Sequence, residues 1–196
     1  KHLESTFMKL GVENRTAASQ RGTGVALQWT RRDTAGTWLA GASHDQARTH
    51  FRQTEAEGEL DATRGVVPTD AAETDALIRG RSRTTSLFAS RQWTAAPGLD
   101  LTLAARFNRT RVTTVDLGRI TLGLPTTLDG DARYARLNPS LGATWKLSPV
   151  LGVYANLGQG NRAPSPIELG CSDPANPCVL PNALQSDPPL KQVIAR

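Results

Sequence analysis

Apolar residues return at every second position in one segment after another, and the connections between these segments alternate short and long. A period of two is the mark of a strand with one apolar face. The clearest case sets Leu137, Pro139, Leu141, Ala143, Trp145 and Leu147 against Asn138, Ser140, Gly142, Thr144 and Lys146. Leu99, Leu101, Leu103, Ala105 and Phe107 oppose Asp100, Thr102, Ala104, Arg106 and Asn108 in the same way. Thr23, Val25, Leu27 and Trp29 share a face between Gly22 and Arg31, and Leu151, Val153, Ala155 and Leu157 oppose Gly152, Tyr154, Asn156 and Gly158. Two weaker alternations carry Trp38, Ala40 and Ala42, and Leu87, Ala89 and Trp93, the latter with Phe88 on the opposite parity.

The short connections are DTAG (Asp33 to Gly36), AAPG (Ala95 to Gly98) and SPV (Ser148 to Val150), all turn-forming through Gly or Pro. The long ones run from about Arg48 to Gly80, Val112 to Arg133 and Asn161 to Pro189. Compact soluble domains favour connections of about 4 to 6 residues throughout. Strict alternation of tight turns and long loops belongs to up-and-down barrels that cross an outer membrane.

Composition narrows the alternatives. No run approaches the roughly 18 to 20 apolar residues of a membrane helix, and residues 1 to 20 lack the apolar core of a signal peptide. A barrel escapes that test because its strands are apolar on one face only. The net charge of +5 raises nucleic acid as a partner, but the clusters Arg79, Arg81, Arg83 and Arg106, Arg109, Arg111 are not interleaved with stacking aromatics. Solvated strand and loop arginines account for them, and no nucleic-acid role is expected. No nucleophile elbow, paired-acid arrangement, phosphate-cradling glycine loop or metal dyad is present at workable spacing, so the chain does not read as an enzyme and no cofactor is expected. The acidic run EAEGELD (Glu55 to Asp61) is read as a solvated surface of the first long loop.

The four tryptophans, Trp29, Trp38, Trp93 and Trp145, all lie near a short turn on the outward parity, as an aromatic girdle at the periplasmic interface requires. Arg91 breaks the apolar parity of its strand, close to the AAPG turn, where a lipid-facing arginine costs only about 0 to 1 kcal/mol. Counted from Leu99, the outward Arg109 and Arg111 lie past the roughly 9 to 11 residues that cross a bilayer, where anionic lipid headgroups can meet them.

The third long connection opens with NRAPSPIELGCSDPANPCVLP (Asn161 to Pro181), which holds five of the twelve prolines and both cysteines. Proline stiffens such a loop by limiting its unfolded conformations. As a disulfide, Cys171 and Cys178 would close an eight-residue ring, contributing about 2.5 kcal/mol on the chain-entropy model and implying an oxidising compartment. The alternative, a zinc site, needs four ligands, and His2, His44 and His50 are distant in sequence.

The run NPSLGATWKLSPVLGVYANLGQGNRAPSPIEL (Asn138 to Leu169) resembles the barrel segment of TonB-dependent outer-membrane receptors. In these a strand, a tight turn and a second strand end in a phrase that Gly160, Asn161, Arg162, Ala163, Pro164, Ser165, Glu168 and Leu169 fit. The continuation through ELGCSDPANPCVLPNA and DPPLKQV is similar to the receptors whose loop carries a Cys pair; there the next strand begins beyond the point that Arg196 reaches. The resemblance implies an all-β, antiparallel, up-and-down transmembrane barrel segment, with six or seven strands of a barrel of about 22 around a plugged lumen. Eight strands are the bacterial minimum for closure. Residues 1–196 are therefore expected to be part of a barrel domain, with the plug, its energy-coupling box and the C-terminal strands absent from the sequence.

The implied function is active import across the Gram-negative outer membrane, most often of a ferric siderophore, less often of cobalamin, haem or a glycan. The implied partners are a TonB-type energy-coupling protein, the ferric chelate, and outer-membrane lipid and lipopolysaccharide. No residue group binds a metal by itself. Ligand contacts are expected from Arg106, Asn108, Tyr154 and Asn156, read as inward-facing near the upper ends of their strands, and from Arg162, which opens the third loop. Ion pairing within the protein is the other role open to Arg106 and Arg162. The functional alternatives are a non-transporting, adhesin-like surface β-protein and a soluble β-sandwich.

Overall fold

A computed structural model describes residues 3–9, 12–60, 66–69, 71, 73–124, 129–170 and 190–196. Cys171 and Cys178 lie outside the described residues, as does Asp61. The strands are β1 (Leu3–Lys9), β2 (Val12–Asp33), β3 (Gly36–Leu60), β4 (Val66–Pro68), β5 (Glu73–Ala96), β6 (Leu99–Asp116), β7 (Gly130–Ser148), β8 (Leu151–Gly158), β9 (Gly160–Arg162) and β10 (Val193–Ala195). Two short helices, α1 (Leu117–Thr121) and α2 (Pro166–Gly170), lie in the long connections. The sheet runs β1-β2-β3-β5-β6-β7-β8, every neighbour antiparallel to the next, with β4 paired to the end of β3. It is an up-and-down meander in which successive strands are neighbours, as the alternation implies.

The tight turns form as their residues dictate. Gly98 adopts φ +76°, a left-handed value favouring glycine, and its carbonyl accepts the Lys146 N–H at 2.8 Å. The Ala35 N–H donates to the Asp33 carboxylate at 2.9 Å, and the Ser148 hydroxyl accepts from the amides of Val150 and Leu151 at 3.3 and 3.1 Å. These three turns define one end of the sheet, the turn end; the long connections gather at the other, the loop end.

The register settles which residues share a face. Leu27, Ala42, Leu87, Phe107 and Leu137 form one cross-strand row, and Arg31, Trp38, Arg91, Leu103, Leu141 and Leu157 form another on the same face. This belt face also carries Trp29, Trp93 and Trp145, and Trp29, Trp38 and Trp145 are all exposed. The Arg91 guanidinium lies 4.7 Å from the Trp38 ring centroid and 5.5 Å from that of Trp93. The arginine that breaks the alternation is thus flanked by two indoles in a cation–π arrangement.

The strands run further than the alternation suggests. The first long connection, expected from Arg48 to Gly80, is replaced over most of its length by β3 and β5, paired through Thr49↔Gly80, Phe51↔Ile78 and Gln53↔Ala76. Glu55 to Leu60 of the acidic run are therefore strand, with Glu55 opposite Glu73, and not a loop surface. The reason is an inversion of polarity. Between Phe107 and Arg109 the belt face changes from apolar to basic, and beyond that line Phe51, Ala76, Ile78 and Val112 are buried on the opposite, inner face. The period of two persists while its apolar phase switches sides.

β1, in the stretch preceding the first alternation, pairs with the start of β2 and brings the main path of the sheet to seven strands, within the expected six or seven. β10 begins a return strand before Arg196, earlier than expected, by pairing Ile194 with Asn161.

Candidate functional site

The inner face at the loop end combines a small apolar core, a covering helix and a chain of polar side chains. Ala18, Phe51 and Ile78 stand in one inner row, with Phe51 and Ile78 buried, and Ile167 of α2 packs on this cluster. Gly80 faces the same side, and a Cβ there would strike the ring of Pro166. The glycine is what lets α2 lie directly on the sheet. Pro164 and Pro166 are both buried. The described start of the third connection therefore folds down onto the inner face.

A local lock holds α2 in that position. Ser165 is its N-cap: the hydroxyl accepts from the Glu168 N–H at 3.2 Å, and the Glu168 carboxylate accepts from the Ser165 N–H at 2.6 Å. This is a capping box, with Pro166 at the first helical position where a missing N–H costs nothing. Arg162 closes the unit by donating to both Glu168 oxygens at 3.0 and 2.9 Å. The guanidinium, then burial working in the opposite sense, then the Ser165 amide set the Glu168 acidity, and the net result lies below the usual carboxylate range. Arg162 is held above its ordinary value by the same bonds. The R-A-P-S-P-I-E-L phrase is thus a fold-forming unit in which Arg162 is engaged by Glu168.

Next to this lock lies a polar chain. Arg106 faces inward on β6, donating from Nε to Asn108 Oδ1 at 2.9 Å and from a terminal nitrogen to Ser43 Oγ at 3.1 Å. Its guanidinium sits 5.4 Å from the Phe88 ring centroid. Phe88 needs Gly41 opposite it, because a Cβ there would meet the ring at 2.5 and 2.8 Å. Asn108 and Asn138 both donate to Asn161 Oδ1, at 2.9 and 2.7 Å, and Asn161 in turn donates to Gln192 Oε1 at 3.1 Å. One asparagine therefore ties β6, β7 and the return segment together. Tyr134 donates to the Leu190 carbonyl at 2.9 Å on the same side, and burial pushes its pKa above the ordinary phenol value.

Among the expected ligand contacts, Arg106 and Asn108 are in contact, and Asn108 reaches Asn161 beside Arg162. Tyr154 and Asn156 are elsewhere. Tyr154 pairs with Thr144, which pairs with Asp100, six residues along β6 from Arg106, or about 20 Å. Tyr154 is the fourth and Asn156 the sixth of the eight residues of β8, so Tyr154 stands at mid-strand and Asn156 near its upper end, both below the level of Arg106 because β8 is short. Asn156 rests against Gly142, where a Cβ would meet its Oδ1 at 2.5 Å, and Tyr154 is exposed.

Ser43, Phe88, Asn138 and Gln192 were not singled out from the sequence. Phe88 carried a signal, its unexplained inward parity; the other three are ordinary polar residues on an inner face. Among the described residues no three His, Cys, Asp or Glu side chains gather as metal ligands. The available chemistry is that of guanidinium, amide and hydroxyl groups, suited to the oxygen atoms of an anionic or polar ligand.

Comparison with known proteins places this geometry. The family described as TonB dependent receptor-like, beta-barrel, matches residues 5–196. No curated protein sequence matches the chain. Among solved structures, the ferric citrate transporter FecA in its unliganded form aligns with TM-score 0.62 at 13% identity, over 82% of this chain and 23% of FecA. The ferric yersiniabactin uptake receptor FyuA from Yersinia pestis aligns with TM-score 0.58 at 15% identity, over 82% of this chain and 24% of FyuA. At these identities the likeness concerns the fold, and the chain spans about a quarter of the length of each.

Proposed function

Since the chain belongs to the TonB-dependent receptor-like β-barrel family, we propose that it forms part of an outer-membrane receptor that actively imports a ferric siderophore. Energy comes from a TonB-type partner acting through a plug encoded elsewhere in the full-length protein. The two solved structures named above are a ferric citrate transporter and a ferric yersiniabactin uptake receptor, both ligands being iron held by an organic chelator. The observation that carries the reading is the inner-face cluster of Arg106, Asn108, Asn138 and Asn161, beside a helix folded onto the same face. Chelates of ferric iron present carboxylate, phenolate or hydroxamate oxygens, and such groups pair with a guanidinium and amide N–H donors. Arg106 uses only two of its five N–H donors in the bonds described above.

The belt face, 9 residues tall on β6 from Leu99 to Phe107, matches the hydrocarbon core, and the tryptophans mark its periplasmic border. On this reading residues 1–196 are a barrel portion, with the turn end periplasmic and α2 lining the outer mouth. The test is uptake of a panel of radioiron-labelled ferric siderophores by cells that lack other importers and express the full-length protein. Uptake of at least one, abolished when the TonB-type partner is deleted, is the expected result; no uptake across the panel refutes the proposal.

A further inference from the structure

The belt face changes character immediately above Phe107. The row Val25, His44, Thr85, Arg109, Ala135 is followed by Thr23, Gln46, Arg83, Arg111, Arg133, and then by Arg21, Arg48, Arg81, Thr113, Asp131. In these three rows seven arginines face a single carboxylate, Asp131, which bonds Arg111 at 2.6 Å and reaches Arg133 at 4.0 Å. Arg21, Arg48 and Arg81 are direct cross-strand neighbours in one row.

Like charges directly opposite one another destabilise a sheet, and the Cβ atoms of such neighbours stand only about 4.5 to 5.5 Å apart. Three arginines in one row are therefore an unfavourable arrangement unless an anion lies across them. Their surroundings suit one. Ser19, Arg21, Thr23, Gln46, Arg48 and His50 line an open cleft of about 600 Å³, so hydroxyl and amide groups flank the guanidinium pair.

We propose that this row is a docking site for the phosphoryl groups of lipopolysaccharide, with Arg21, Arg48 and Arg81 forming the anion cradle and Ser19, Thr23, Gln46 and His50 completing it. The inference rests on the outer-membrane reading above, because only there does an outward face just beyond the hydrocarbon meet phosphorylated lipid. Height selects the occupant. The row lies six residues beyond Phe107 on β6, at Thr113, or roughly 20 Å along the strand and less along the membrane normal once the strand tilts. That is the level of the sugar-phosphate layer, above the acyl chains. Planar guanidinium forks bind phosphate oxygens in pairs.

The test uses the full-length protein purified in detergent and immobilised, with soluble phosphorylated lipopolysaccharide, the same material after phosphatase treatment, and inorganic phosphate as probes. Wild-type protein should hold phosphorylated lipopolysaccharide at least about tenfold more tightly than the dephosphorylated form, and Arg21→Gln/Arg48→Gln/Arg81→Gln should abolish the difference. The single variant Arg48→Gln, which leaves the other two guanidiniums in place, should lose part of it, and serves if the triple variant does not fold. Equal binding of the two lipopolysaccharide forms to wild type overturns the proposal. So does an undiminished preference in folded triple variant, or in Arg48→Gln where the triple variant does not fold. Competition by inorganic phosphate at equal concentration would reduce the site to a simple anion site and overturn it as well. Binding in detergent needs neither transport nor a coupling partner, so an absence of siderophore uptake would strike the import proposal and leave this measurement standing.

Discussion

Glu168 accepts two N–H bonds from Arg162, at 2.9 and 3.0 Å, while one of the same two oxygens takes the Ser165 amide at 2.6 Å. Three interactions converge on one side chain that anchors a helix of only five residues. Isolated helices this short do not hold together in water, so α2 depends on its cap and on the packing of Pro166 and Ile167.

Replacing Glu168 by Gln removes the charge-assisted fork and weakens the box by about 1 kcal/mol, on the scale of cap substitutions. Hydrogen exchange at the Leu169 amide, which bonds the Ser165 carbonyl at 3.1 Å, should accelerate roughly fivefold. Exchange in the β6 and β7 strands should not change. An unaltered Leu169 rate would show that packing alone holds the helix.

The same carboxylate sets a pH dependence. The fork from Arg162 holds its pKa in the folded chain below the ordinary 4.5. A depressed carboxylate contributes stability that is fully present above the unfolded value and is lost as pH falls through the folded one. Protection of α2 should therefore be level from pH 8 to about 5 and decline below the ordinary glutamate range, with Glu168→Gln giving a flat, lower profile. A wild-type profile that tracks the variant at all pH values contradicts this.

Gly80→Ala drives a methyl group into the Pro166 ring. The expected cost is about 1 to 3 kcal/mol of overpacking, taken mostly as displacement of α2 and not as loss of the sheet. Adding Pro166→Ala should recover part of that loss, a coupling that a double-mutant cycle measures directly. Strict additivity would mean that the two side chains do not meet.

On the proposed import function, Arg106→Ala should weaken binding of a ferric siderophore by roughly tenfold to a hundredfold, the range for a charged hydrogen-bonding group. Barrel assembly, read from the folded band on an unheated gel, should be retained, because Arg106 is exposed and its bonds run to Asn108 and Ser43 at the surface. Arg106→Lys should recover charge without the fork, and so recover only part of the affinity. Loss of assembly with unchanged affinity in whatever protein folds would make Arg106 a structural residue.

Half of this architecture was legible in the sequence, and the boundary is physical. From the turns to Phe107 each strand is apolar on its outer face, so alternation, turns and tryptophans all agree. Above that level the outer positions turn basic while Phe51, Ile78 and Val112 turn inward, and a pattern keyed to an outer apolar face ends where the strand does not. Arg106 and Asn108 could be placed by parity. Asn161 could be recognised in its phrase but not understood there, because its partners Asn108, Asn138 and Gln192 come from segments 53, 23 and 31 residues away. Tyr154 and Asn156 share the parity of Arg106 but stand six and four residues below it, because β8 is short and distance from a turn fixes height in a meander.

The reversal of polarity between Phe107 and Arg109 also has a mechanical meaning. A sheet apolar on one side throughout could ride up or down in its surroundings at little cost. On the proposed outer-membrane placement, a downward slip of two residues would carry Arg109 into hydrocarbon, and further slip would take Arg111 and Arg133 with it, each costing up to about 2 to 4 kcal/mol toward the midplane. The arginine rows act as a waterline that fixes the draught of the hull; under the proposed coupling, a pull from below is then spent on whatever is attached inside the wall and not on sinking the wall itself.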